Sequence, residues 1–128
     1  MRIIGHGIDL VSLEKLAQLI ENVETDFVER CFTDDERFEI QSGADSMHRF
    51  AGVFAAKEAI AKALGTGFDG EISPHEIMIK HLPSGAPEVV LYGTAKQLAM
   101  KLGITEWMLS ISHEDTMAVS SAIATGPD

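Results

Sequence analysis

Cysteine is nearly absent: Cys31 is the single one in 128 residues, so no disulfide can form within the chain. That suits a reducing compartment, and a soluble cytoplasmic protein is the expectation. Long hydrophobic runs are missing too. The stretch from Thr116 to Pro127 carries no charge but is too short to span lipid. His6 and Asp9 interrupt the apolar N-terminal run, which does not fit a signal peptide. Cations are scarce, with 10 Lys and Arg against 20 Asp and Glu and a net charge of −10. Phosphate-backbone binding needs a basic footprint, so nucleic acid is excluded as a partner, and no membrane association is expected. No Walker loop, nucleophile elbow or dinucleotide fingerprint occurs, and one cysteine with scattered histidines gives no zinc spacing. Repeats, low-complexity tracts and linkers are also lacking.

What is present is an ordinary globular mixture, 45% hydrophobic and 23% charged, of a length that implies one domain over residues 1–128. Arg2 to Asp9 reads as a strand, with Ile4 and Ile8 on one face and Ile3, Gly5, Gly7 and Asp9 on the other. Ser12 caps a helix from Leu13 to about Asn22, a short helix spans Phe27 to Phe32, and Thr33 caps another through Ile40. A long helix runs from about Asp45 to Leu64 and stops at Gly65. Glu76 to Leu82 and Glu88 to Tyr92 flank a proline- and glycine-containing turn. Gly93 to Leu102 is helical, and Trp107 to Ser112 with Met117 to Thr125 closes the chain as a hairpin. This order lacks repeated βαβ units. The expected class is α+β, a mainly antiparallel sheet packed against a long buried helix.

Chemistry concentrates in that helix. Between Val53 and Leu64 nine of the twelve residues are apolar, most of those alanine, and they surround the helix, the pattern of a buried one, so Lys57, Glu58 and Lys62 require partners. Glu58 and Lys62 stand four apart, acid first. They form either an internal ion pair or a carboxylate for a metal and an ammonium for phosphate. Asp9 ends its strand as a turn former or a metal ligand, after two glycines that let another element or a ligand approach closely. Two acids and a lysine suit magnesium, which takes one or two carboxylates with substrate phosphates and water. His113, closing Ser110-Ile111-Ser112-His113, is structural, exposed or functional. Between Glu21 and Asp45 nine acids face two arginines, read as a solvated helical face.

Taken in chain order, Gly7-Ile8-Asp9, then Phe54-Ala55-Ala56-Lys57-Glu58-Ala59-Ile60-Ala61-Lys62, Gly65-Thr66-Gly67 and Ser110-Ile111-Ser112-His113 resemble the small holo-acyl-carrier-protein synthases, a group of 4′-phosphopantetheinyl transferases. The resemblance spans essentially the whole chain. It implies transfer of 4′-phosphopantetheine from coenzyme A to a serine of an apo acyl carrier protein of fatty-acid synthesis, with release of 3′,5′-ADP. It implies Mg²⁺ held by Asp9 and Glu58, and Lys62 against the phosphates and serving catalysis with Glu58. Gly65 and Gly67 would line the nucleotide site, with Pro87, Ser112 and His113 around the adenosine. It also implies a homotrimer that shares coenzyme sites between neighbours.

Three positions depart from the family pattern. Val53 stands where arginine is common, and Arg49, one turn earlier, is the substitute phosphate contact. Lys15 replaces an arginine toward the carrier, with Arg30 the second docking cation. The usually basic region after the first helix is acidic here. Two alternatives are a magnesium-dependent nucleotide phosphohydrolase using the same carboxylates and a non-catalytic binding subunit with the same fold.

Overall fold

The computed structural model describes residues 1–22, 24 and 26–128, with the backbone alone at Asp69. The chain runs β1 (Arg2–Ser12), α1 (Leu13–Glu21), α2 (Phe27–Cys31), α3 (Asp34–Gln41), α4 (Ser46–Ala63), two short 3-10 turns (Gly67–Asp69 and Pro74–Glu76), β2 (Ile77–His81), β3 (Pro87–Leu91), α5 (Gly93–Leu102), β4 (Glu106–His113) and β5 (Met117–Gly126). The α+β class and the element order read from the sequence hold. The pairing differs in one respect. Among the described residues the strands form two antiparallel sheets, β1-β5-β4 and β2-β3. No described helix is long and apolar enough to cross a membrane.

Strand β1 is three residues longer than its hydrophobic pattern indicates, because pairing with β5 continues to Ser12 opposite Met117. Ser12 then caps α1 through its hydroxyl, which accepts from the Lys15 amide at 3.3 Å. Thr33 and Glu36 form a reciprocal capping box at the start of α3.

Helix α4 is the centre of the molecule, and its alanines explain why. Ala55, Ala56, Ala59 and Ala61 are completely buried around the helix, and β1 packs directly on it at Ala59 and Ala63. A Cβ built on Gly5 would stand 2.0 Å from the Ala63 carbonyl oxygen, and one on Gly7 1.9 Å from that of Ala59. The two glycines therefore admit another element, the α4 backbone, and not a ligand. Beyond them, Asp9 follows in the same alternating phase. The opposite face of β1 carries Ile8 and Leu10, 58% and 59% exposed, and the same sheet face carries Met108 of β4, beyond β5, at 54%.

On its other side α4 packs through aromatic edges against α2 and the link that follows it. Phe54 meets Phe27 at 5.2 Å between ring centroids, and Phe50 meets Phe32 at 4.9 Å. Gly65 takes φ +91° just after the last turn of α4, the left-handed conformation that ends helices.

Candidate active site

The three ionisable side chains of α4 have distinct fates. Lys57 is fully buried and pairs with Glu36 Oε1 at 2.5 Å. Its ammonium also donates to the Cys31 carbonyl at 2.7 Å and the Pro74 carbonyl at 3.0 Å, and it lies 5.5 Å from the centre of the Phe32 ring. Burial pulls the Lys57 pKa below the ordinary lysine value, and Glu36 opposes that shift. The partner comes from the acidic run read as a solvated face. Most of that run is indeed outside the core, but Glu36 is inside it, accepting also from the Ile79 amide at 2.8 Å. The signal was available in the capping box, which fixes the direction of the Glu36 side chain.

Lys62, by contrast, is 49% exposed, and its ion pair is with Asp9 Oδ1 at 3.0 Å. It also donates to the Ile8 carbonyl at 3.1 Å. This pair crosses from helix to strand, 53 residues apart in sequence. Glu58 lies one turn before Lys62 and is half-buried. It lines a cleft of about 730 Å³ with Arg30, Cys31, Phe54, Phe68 and His75. The Cys31 thiol there is pushed above its ordinary pKa by burial, with Lys57 opposing the rise.

Gly65 and Gly67 continue from the same end of α4. Both have positive φ, and the space a side chain would fill is empty for 4 Å. The Asp9–Lys62 pair is thus the contact that joins β1 to this end of α4, with Glu58 one turn before Lys62 and Gly65 and Gly67 just after the helix.

A second group gathers elsewhere. Arg49, Pro87 and His113 line a cavity of about 250 Å³ together with Val53 and two histidines that the sequence showed only as scattered, His48 and His81. Arg49 shares this wall with Val53, as their one-turn spacing implies. Its guanidinium reaches the Ile40 carbonyl at 3.4 Å and Glu39 at 3.9 Å.

Arg49 and Glu58 are nine residues apart on one helix, about 14 Å along the axis and half a turn around it. One chain therefore points the two groups in opposite directions. Ser112 joins neither group by its side chain: it alternates with His113 and lies exposed on the outward side of β4, opposite Val119. Lys15 is exposed in the first turn of α1, and Arg30 stands at the Glu58 cleft.

A sequence model of the 4′-phosphopantetheinyl transferase superfamily matches residues 5–118, from the glycine notch of β1 through His113 into β5. The chain belongs to the 4′-phosphopantetheinyl transferase superfamily. A holo-[acyl-carrier-protein] synthase of Desulforudis audaxviator is 42% identical over 125 residues, 98% of this chain and 95% of that protein. The crystal structure of the Neisseria meningitidis holo-[acyl-carrier-protein] synthase superposes with TM-score 0.87 at 35% identity, covering 97% of this chain and 99% of the other. The Helicobacter pylori synthase, solved in complex with coenzyme A, gives TM-score 0.82 at 30% identity over 94% and 99% of the two chains. The resemblance to the small synthases read from four short motifs is borne out at full length. For a phosphopantetheinyl transferase of this size, the two groups of polar residues on α4 are the features that require a functional account.

Proposed function

We propose that this chain, as a single 4′-phosphopantetheinyl transferase domain over residues 1–128, is a magnesium-dependent holo-acyl-carrier-protein synthase. It moves the 4′-phosphopantetheine group from coenzyme A onto a serine of an apo acyl carrier protein and releases 3′,5′-ADP in the cytoplasm. The observation that carries this reading is the Asp9–Lys62 pair beside Glu58, set at the surface of a chain that matches the transferase family along its length.

The donor set fits magnesium. Asp9 and Glu58 offer hard carboxylate oxygens, and among the described residues no group of three His, Cys, Asp or Glu converges to complete a protein cage. Magnesium characteristically keeps several waters and uses substrate phosphates alongside one or two carboxylates. Asp9 and Glu58 would hold it with the pyrophosphate of the coenzyme; bound there, the ion supplies charge neutralisation for the departing 3′,5′-ADP.

The chain's own residues do the rest. Lys62, tethered by Asp9 but half exposed, has an ammonium able to swing onto a phosphate oxygen. Glu58 accepts the proton of the carrier serine on its carboxylate. The serine oxygen bonds to the phosphorus that bears pantetheine, the pyrophosphate bridge breaks, and 3′,5′-ADP leaves with the electron pair. Gly65 and Gly67 leave room for the nucleotide near Lys62. Arg49, Pro87 and His113 take its other end, with Ser112 at the rim of the sheet.

Those two groups face apart in one chain, so a second copy must supply the complementary half. The exposed Ile8, Leu10 and Met108 on the outer sheet face support an assembly through that face, and a homotrimer is the family-like form. Lys15 and Arg30 are the cations toward the carrier.

The test is mass spectrometry of an apo acyl carrier protein incubated with this protein, coenzyme A and magnesium. One phosphopantetheine should be added per carrier, and 3′,5′-ADP should appear only when the carrier is present. Release without carrier would establish a hydrolase instead. Asp9→Asn and Glu58→Gln should each lower turnover by about 10²–10³-fold with the fold intact, the usual effect of removing a charge-stabilising group.

A further inference from the structure

We infer that Glu39 is a counter-ion built into the Arg49 cavity. It holds Arg49 and His81 until a phosphate of the ligand displaces it, so that these side chains with His48 and His113 make a phosphate subsite. This deepens the proposed function and rests on coenzyme A being the ligand.

The cavity collects nitrogen-bearing side chains from three elements: His48 and Arg49 from the first turn of α4, His81 from the end of β2 and His113 from the end of β4. The His48 and His113 rings stand 5.0 Å apart. Two carboxylates reach the same lining. Glu36 is committed, since its oxygens are taken by Lys57 and by the Thr33 and Ile79 amides in the core. Glu39 is different. Its Oε1 lies 2.9 Å from His81 Nδ1 and 3.9 Å from the Arg49 guanidinium, and it is 39% exposed.

One partly exposed carboxylate therefore shares the cavity with a guanidinium and three imidazole rings. The Arg49–Glu39 distance is too long for a good charge-assisted bond, and the Arg49 contact to the Ile40 carbonyl is long as well. Arginine carries five N–H donors in a planar fork, so most of its capacity remains for an incoming anion. A phosphate monoester brings more negative charge than a carboxylate and three acceptor oxygens, and would take over both partners of Glu39. Val53, on the same wall, contributes no cation, so Arg49 is the cation there and the histidines add ring nitrogens.

Isothermal titration of the intact protein with 3′,5′-ADP, coenzyme A and dephospho-coenzyme A tests this. Glu39→Gln, which can keep a hydrogen bond to His81, should tighten 3′,5′-ADP and coenzyme A by about three- to fivefold, the worth of a half-exposed ion pair. His81→Gln should weaken both by a similar factor. Dephospho-coenzyme A identifies the source of the phosphate. If the Glu39→Gln effect vanishes with it, the 3′-phosphate occupies the subsite; if it persists, the pyrophosphate does.

Glu88→Gln removes the same charge next to Pro87 but outside the cavity lining, and should leave the dissociation constants unchanged. Equal tightening by Glu88→Gln would reduce the effect to overall charge and overturn the inference, as would unchanged binding in Glu39→Gln. If the wild-type protein binds coenzyme A and modifies carrier while Glu39→Gln has no effect, this inference alone fails. If the wild type does neither, the proposed function fails with it.

Discussion

Adding one methyl group at Gly7 should damage both the stability and the turnover of this protein. The Cβ of alanine there would sit 1.9 Å from the Ala59 carbonyl oxygen and 2.9 Å from the Ala63 nitrogen, all main-chain atoms of α4. To reach even 3.0 Å, the least separation that real Cβ atoms show, strand and helix must part by about 1.1 Å. No side chain can rotate away to absorb this, because Ala59 is fully buried and the contact is backbone to backbone.

Overpacking costs about 1–3 kcal/mol when side chains adjust, and this case belongs at the upper end or beyond it. At about 4 °C per kcal/mol for a chain of this size, Tm should fall by about 12 °C. Turnover should fall further than stability explains. Asp9 lies two residues beyond Gly7, and Glu58 and Lys62 flank Ala59, so parting the two elements separates the Asp9–Lys62 pair. A displacement of about 1 Å at reacting groups costs about 10²-fold in rate.

Gly70→Ala is the control. Its added Cβ would meet only the Thr66 Cβ at 3.6 Å, an ordinary van der Waals contact. Thermal melts by circular dichroism and initial rates well below Tm would measure both effects. A Gly7→Ala protein within about 2 °C of wild type and fully active would refute the claim that glycine is required for the helix to seat on β1.

Three further outcomes follow from the same geometry. Lys57→Met should destabilise by about 3–5 kcal/mol, measured by urea unfolding, because it leaves the Glu36 carboxylate buried without its cation; a loss below about 1 kcal/mol would contradict a buried pair. Cys31, whose pKa is raised by burial, should react with iodoacetamide more slowly in native than in denatured protein at pH 8, with the native rate climbing only as pH passes above the ordinary thiol range of about 8.5. Equal native and denatured rates would show an accessible, unperturbed thiol. Lys15→Glu should raise KM for an acidic carrier by about tenfold at low salt and leave KM for coenzyme A unchanged, the difference shrinking at about 1 M salt where screening acts within about 3 Å. A variant indistinguishable from wild type at low salt would place carrier docking elsewhere.

The sequence by itself determined what depends on neighbours along the chain. The caps at Ser12 and Thr33, the glycine stop at Gly65, the apolar girdle of the long helix and the order of strands and helices are local signals. They were legible because hydrogen bonding and periodicity act over a few residues. The motifs carrying the family resemblance are short segments of the same kind, which is why Asp9, Glu58 and Lys62 could be named together before any fold was known.

Only the tertiary structure decided which charge meets which. The i, i+4 spacing pointed Lys62 toward Glu58, yet its ion pair crosses to Asp9 on β1, and the core pair joins Lys57 to Glu36 on another helix. Three-dimensional packing also decided that the room left by Gly5 and Gly7 is filled by the α4 backbone. Strand register placed Ser112 and His113 on opposite sides of the sheet, and Glu39, His81 and His113 met Arg49 from three other elements. Contacts of this kind depend on how helices rotate and sheets register against one another. That is set by the shape of the whole core, which no local spacing encodes.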